Sequence, residues 1–480
     1  MKKTAKTSEI STKSKFIKDM FAMIFANGVS FLISALITFI VPKILNIENY
    51  SYVQLYIFYT SYISYLHYGW VDGIRLRYGG AYYDKLDKPL FSSQIRYYSI
   101  IQFIVSFLVL MLVFANNFDG NRLVALVCIC VCMFIRLPRL MPQYILEMSN
   151  RMQECARITI IERTSYLICT ILVIATKNAS VVSLLVCDII GQLLSALYAF
   201  YCCRDMIRIK PVKFKPAMIE AKSNIISGIK LTIANISSLL VIGIVRQFIE
   251  YEWDISTFGK ISLTISISNL LMVFIRAIAM VMFPTLRRIK ADKLPSLYSK
   301  IRIGIMVPLL FMLILYYPLR IIMINWLPQY ADSLKYMAIL FPMCIFESKM
   351  SMLVETYLKT LRLEKWLLVV NIITVVLSLI LTIITTIVLH NLNFTIVLIV
   401  LLLAFKSITS ELVLSKHINI EVGKNIVLEV LLVAIFILTS WFIGGITSLI
   451  IYVVAYLIYI FISKEDIKQV YQYLRKGRDL

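Results

Sequence analysis

Residues 21–43 read FAMIFANGVSFLISALITFIVPK. No charge interrupts the run from Phe21 to Pro42, and about 20 mostly apolar residues are enough for a helix to cross hydrocarbon. A cleavable signal needs an apolar stretch of only about 7–15 residues, so this run reads as a first membrane span. Its polar residues Asn27, Ser30, Ser34 and Thr38 fall at i, i+3, i+7 and i+11 on one helical face. Such a face turns toward a bundle interior or a watery cavity, because polar groups are costly in lipid.

The same pattern continues along the chain. Of its 480 residues, 60% are hydrophobic and 16% charged, and the mean hydropathy is +0.83. A soluble domain carries about 25% charged residues, which excludes a water-soluble enzyme. Fourteen candidate spans follow at 17–42, 50–70, 91–115, 123–147, 157–176, 180–202, 223–249, 257–283, 302–327, 335–358, 365–389, 394–415, 425–443 and 446–463. The last pair is divided only around Gly444-Gly445, so twelve or thirteen are the neighbouring counts.

Charge placement gives the topology. Of the 49 Lys and Arg, 35 fall in alternate connections and both tails, five in the intervening connections and nine within spans. By the positive-inside rule both termini are cytoplasmic, and the net +22 reflects topology rather than nucleic-acid binding. The expected organisation is all-α and polytopic: a basic tail 1–16, a six-helix lobe 17–203, a linker 204–222, a second six-helix lobe 223–416, helices thirteen and fourteen in 417–463, and a basic tail 464–480. Residues 26–33 match 234–241 at an offset of 208, which predicts two parallel halves.

Further polar residues fall within the spans. Asn235, Ser238 and Arg246 share a face of span seven, and Ser262, Ser266, Asn269 and Arg276 one of span eight. Span four carries Arg136, Arg139, Gln143 and Glu147 on one face, beside Pro138 and Pro142. Glu347, Ser351 and Glu355 line span ten, with Lys349 elsewhere on that helix, and Lys406 lies in span twelve. Serine and asparagine stripes also glue helices together, and a structural ion pair of Arg136 or Lys349 with Glu347 is an alternative use of those charges. The surplus of cations over acids predicts a cavity prepared for an anion, since arginine's fork suits phosphate. Tyr52, Tyr56 and Tyr59 in span two offer a packing surface or a wall for sugars. Pro308, Pro318 and Pro342 predict kinks. There is no phosphate loop and no metal-ligand spacing, and the nine cysteines form no extracellular disulfide framework. Transport is favoured over catalysis.

Five stretches stand in order along the chain: Val41-Pro42-Lys43-Ile44-Leu45 with Glu48-Asn49-Tyr50-Ser51, Gly69-Trp70-Val71-Asp72-Gly73-Ile74-Arg75, Phe283-Pro284-Thr285-Leu286-Arg287-Arg288, Trp326-Leu327-Pro328-Gln329-Tyr330, and Tyr357-Leu358-Lys359-Thr360-Leu361-Arg362. In that order and spacing they resemble bacterial polysaccharide flippases of the Wzx type, in the MOP superfamily that also holds the MATE exporters and lipid II flippases. The resemblance implies two lobes facing a cavity, and an oligosaccharide on polyprenyl pyrophosphate carried to the outer leaflet of the bacterial cytoplasmic membrane for O-antigen, capsule or exopolysaccharide. Arg136, Arg139, Arg246 and Arg276 would hold the pyrophosphate. Asn27, Ser30, Ser34, Tyr52, Tyr56, Tyr59, Asn235, Ser238 and Asn269 would line the sugar cavity. Asp188, Glu347 and Glu355 would carry H⁺ or Na⁺ coupling, with no cofactor. Membrane lipid, a polysaccharide polymerase and chain-length machinery are the expected partners, and no nucleic acid. Members often have an Asp-Arg pair where this chain has Val245-Arg246, which removes that acid. The alternatives are a drug or cation antiporter of the same superfamily, or a membrane polysaccharide polymerase.

Overall fold

The structure, a computed structural model, describes the backbone of residues 2–118, 120–286 and 294–476, and the side chains of residues 18, 21–118, 120–270, 272, 294–470 and 472. Among the described residues there is no strand. The helices are α1 (Lys2–Ile44), α2 (Ile47–Ile63), α3 (Trp70–Tyr78), α4 (Lys88–Ala115), α5 (Gly120–Met148), α6 (Met152–Ala175), α7 (Val181–Cys202), α8 (Phe214–Glu252) and α9 (Ile255–Leu286). They continue as α10 (Leu294–Trp326), α11 (Met337–Thr360), α12 (Glu364–Val388), α13 (Leu392–Ile418), α14 (Gly423–Ile443) and α15 (Gly445–Ile462), then α16 (Lys464–Lys476).

Twelve helices among the described residues are long and apolar enough to cross a membrane. The two remaining sequence spans correspond to α2 and α9. Span two is not one continuous helix: α2 has 17 residues, about 25 Å at 1.5 Å per residue. The break has a local cause. Tyr68 and Gly69 both take positive φ, 53° and 81°, which an α-helix cannot continue through. Gly69 and Gly73 are then pressed against α8. A Cβ on Gly73 would sit 1.8 Å from the Asn224 carbonyl oxygen, and one on Gly228 2.0 Å from the Gly69 oxygen. Small residues four apart allow this backbone approach.

Contacts divide the chain into two units, Met1–Ile236 and Ser237–Leu480. The boundary falls inside α8, because its first part is fastened to α3. Besides the glycine crossing, Arg77 donates to Glu220 and Asn224 at 2.5 Å each, and Thr232 donates to Asp72 at 2.6 Å. Tyr78 also donates to Glu220 at 2.8 Å; burial, then this carboxylate, raise its pKa to about 12.

The repeat offset of 208 returns in the helix ends. α1 ends at Ile44 and α8 at Glu252, and α2 begins at Ile47 and α9 at Ile255. These matched boundaries support an internal duplication.

In the second unit α10 and α11 are irregular near their prolines. A 3₁₀ turn at Leu313–Leu315 interrupts α10 between Pro308 and Pro318, and a turn at Phe341-Pro342 interrupts α11, which carries a π segment further on at Lys349–Val354. Proline removes a backbone donor and clashes with the preceding turn. α15 shows how the last pair is seated. Ile446, Ile450, Val454, Leu457 and Phe461 are exposed, while Ser448, Tyr452, Tyr456 and Tyr459 are buried on the other side. Tyr452 and Tyr456 donate to the Leu310 and Val307 carbonyls of α10 at 2.7 and 3.0 Å.

Candidate functional site

The first unit gathers its charges where α2, α5, α6 and α7 meet. α5 supplies Arg136 and Arg139, α6 supplies Glu162 and Arg163, α7 supplies Asp188, Gln192 and Ser195, and α2 supplies Tyr56 and Thr60. Arg139 is 4% exposed. Its Nη1 lies 2.7 Å from Glu162 Oε2 and also donates to the Ser195 hydroxyl. Gln192 Nε2 donates to the other Glu162 oxygen at 3.1 Å. Arg139 is thereby committed to holding three helices together.

Arg136 is placed differently. It is half-buried and donates to the Thr60 carbonyl at 3.3 Å. Thr60 lies in the last turn of α2, where carbonyls lack intrahelical partners and a cation is favoured by the helix dipole. Arg163 was not singled out in the sequence, yet it belongs to this group. It is 3.6 Å from Glu162 and about one third exposed, at 32%. Asp188 accepts from the Tyr56 hydroxyl at 2.8 Å and lies within Coulombic range of Arg163 and Arg136. Three guanidiniums therefore face two carboxylates, a surplus of one positive charge.

The remaining first-unit residues of the sequence reading have other settings. Asn27 is exposed, and Ser30, Ser34, Tyr52, Tyr59 and Asn235 are half-buried. Ser34 uses its carbonyl to accept from Thr38 at 2.8 Å within α1. Gln143 stays on the face of α5 with the arginines, but Glu147 reaches Arg75 at 3.1 Å.

In the second unit, α8, α11 and α13 form a cleft of about 40 Å³. It brings together Ser238, Glu347, Ser351, Glu355 and Lys406, all residues that the span patterns had separated onto three helices. Lys406 is 5% exposed and donates to Ser238 Oγ at 2.5 Å. No ion pair to Lys406 occurs among the described residues. Glu355 pairs with Lys359 at 2.6 Å one turn along. The cleft is large enough for one water, which needs at least about 10–15 Å³. Arg246 donates to Ser262 at 2.8 Å and lies 5.3 Å from the Phe258 ring centre, so two of the polar stripes meet. Asn269 is exposed, and the Arg276 side chain lies outside the described residues.

Lys349 corrects one expectation. It is ion-paired, but to Glu411 at 2.6 Å and Glu429 at 3.1 Å rather than to Glu347. Arg302 binds the same two acids at 2.7 and 2.6 Å, and Tyr298 donates to Glu411 at 2.9 Å. All four charged side chains are at most 2% exposed. This neutral quartet joins α10, α11, α13 and α14. The sequence signal for it was two acids, Glu411 and Glu429, inside apolar spans, since buried acids require cationic partners.

No family model matches the sequence, and no curated protein matches it. Among solved structures, the chain is similar to an inward-facing multidrug resistance MATE family transporter of the MOP superfamily. The TM-score is 0.61 at 12% identity, covering 82% of this chain and 94% of that one. It is also similar to the lipid II flippase MurJ in an inward closed conformation, with a TM-score of 0.59 at 13% identity, covering 94% of this chain and 100% of that one. A MOP superfamily transporter from Pyrococcus furiosus matches with a TM-score of 0.50 at 11% identity, covering 84% and 96%. The fold is that of MOP superfamily transporters.

Proposed function

We propose that this chain is a flippase of the bacterial cytoplasmic membrane, moving a polyprenyl-pyrophosphate-linked oligosaccharide from the inner to the outer leaflet by alternating access. The product would feed O-antigen, capsule or exopolysaccharide synthesis, alongside a polymerase and chain-length machinery. One observation carries the reading: Arg136, Arg139 and Arg163 are gathered with only two carboxylates, Glu162, which meets both Arg139 and Arg163, and Asp188, and of the three Arg136 and Arg163 are partly exposed. A pyrophosphate supplies the negative charge that this group lacks, and guanidinium forks bind it in two-pronged fashion. Likeness to a lipid II flippase over 94% of the chain is consistent with a lipid-linked cargo. We assign α2 and α9 as the two further crossings, with both termini cytoplasmic.

In this reading Arg136 and Arg163 bind pyrophosphate, Tyr56 orients Asp188, and the partly exposed Tyr52 and Tyr59 meet the sugars. Moving charge through the membrane is worth about 2.3 kcal/mol per charge per 100 mV, so coupling to H⁺ or Na⁺ is expected. The cleft of Glu347, Glu355 and Lys406 is the site assigned to it. Those two acids also favour a second reading, a cation-coupled drug antiporter.

The test is the leaflet location of lipid-linked oligosaccharide in cells with and without the protein. Accumulation of complete units on the inner leaflet, with loss of surface glycan, is the expected result. Normal delivery in cells with no other flippase, together with lost drug resistance, would replace the flippase with the antiporter.

A further inference from the structure

A second cleft, of about 480 Å³, lies in the first unit where three connections converge. Tyr82, Tyr83 and Asp84 come from the segment between α3 and α4, Arg151 from that between α5 and α6, and Arg204 and Asp205 from the connection that follows α7. The charge bias assigns all three connections to the cytoplasm. Its volume lies in the range of about 300–1,000 Å³ of small-molecule sites.

The floor is rigid and electrically balanced. The Arg151 guanidinium lies 4.4 Å from the Tyr83 ring centre, bonds Glu154 at 2.9 and 3.1 Å and donates to the Cys202 carbonyl at 3.2 Å. Tyr83 donates to Asp205 at 2.6 Å, and Lys88 meets the other oxygen of that carboxylate at 2.9 Å. Burial opposes ionisation of Asp205, but the Tyr83 hydroxyl and the Lys88 ammonium outweigh it and hold its pKa below the ordinary value. Each charge of the floor already has its opposite, and at the rim the Asp84 carboxylate balances the charge of Arg204, so the cleft lacks the surplus of cations that a phosphate site needs.

The rim is open. Tyr82 is 72% exposed, Asp84 is exposed, and the exposed Arg204 stacks 4.4 Å over the Tyr201 ring. An aromatic face, a carboxylate acceptor and a planar five-donor group in a wet cleft suit a ligand with an apolar C–H face and a rim of hydroxyls.

We propose that this cleft is a saccharide-binding site, with Tyr82 packing on a sugar ring while Asp84 and Arg204 bond its hydroxyls. That the sugar is the head of the carried lipid rests on the flippase reading above. The experiment is saturation-transfer NMR of the full chain in nanodiscs with free glucose, galactose, mannose and N-acetylglucosamine at millimolar concentration. At least one sugar should take up saturation, and Tyr82→Ala and Arg204→Ala should each weaken it about tenfold, the equivalent of 1.4 kcal/mol. Tyr82→Phe keeps the ring and should retain the signal. Absence of transfer from every sugar, or an unchanged signal in Tyr82→Ala, overturns the site. Displacement by inorganic phosphate or by phosphatidylglycerol in the disc also overturns it, and reassigns the cleft to a phosphate. Because binding is read without transport, a failed leaflet assay with saturation intact removes the flippase and leaves the saccharide site.

Discussion

Arg136 and Arg139 stand three residues apart on α5 and serve different ends. Arg139 is enclosed with Glu162 and Ser195, whereas Arg136 caps the end of α2 and stays partly exposed. Breaking a buried pair from one side costs about 3–5 kcal/mol, because the other charge is left uncompensated. Arg139→Met should therefore lower abundance and thermal stability, and Arg139→Met with Glu162→Leu should recover much of both. Arg136→Gln should keep normal abundance while cutting export at least about tenfold, or 1.4 kcal/mol. Melting in detergent and surface-glycan assays separate the two. The sequence placed both arginines on one face of a helix, which was correct spacing. It could not tell which of them Glu162 would claim, because that depends on how α6 is rotated against α5. Neighbours one apart on a helix do not face each other, so the adjacent Glu162 and Arg163 gave no sign in the sequence that both would join one group.

At the scale of elements, periodicity located the helices, and proline marked the irregular α10 and α11 but not the π segments of α12 and α14, while α5 runs unbroken through Pro138 and Pro142. Periodicity did not foresee the break after α2. The left-handed backbone at Tyr68 and Gly69 accompanies the close crossing of Gly69, Gly73 and Gly228, a tertiary cause. The quartet of Arg302, Lys349, Glu411 and Glu429 was hidden for a related reason. Arg302 sits near the start of α10 and reads as one more basic residue of a loop, until α13 and α14 bring their glutamates to it. Lys349→Met should strand the two carboxylates with Arg302 alone and destabilise the protein by about 3–5 kcal/mol. Removing an acid as well, in Lys349→Met with Glu429→Gln, restores neutrality. That double variant should melt closer to the wild type than the single one, by size-exclusion thermostability in detergent.

For the molecule as a whole, composition and charge bias were the most legible features. Apolar runs without long polar interruptions leave no soluble alternative, and the twelve membrane-length helices among the described residues agree with that reading. The offset of 208, first seen in eight residues, returns at two helix boundaries. The 35 to five distribution of basic residues predicts the sidedness, which is directly measurable. In a background lacking reactive cysteines, Lys177→Cys should react with an impermeant maleimide in intact cells, and Lys210→Cys only after the membrane is opened. Labelling of both from outside would invert or abolish the assigned topology. Function was less legible because the surplus of positive charge depends on which acids each arginine meets.

The quartet also has a consequence for heredity. Each of its four positions is viable only in the company of the other three, so one missense change produces a poorly folded intermediate. A population leaving this arrangement would have to carry that handicap until a compensating change arose. Descendants of this gene should therefore keep the four residues together or lose charges in opposite pairs.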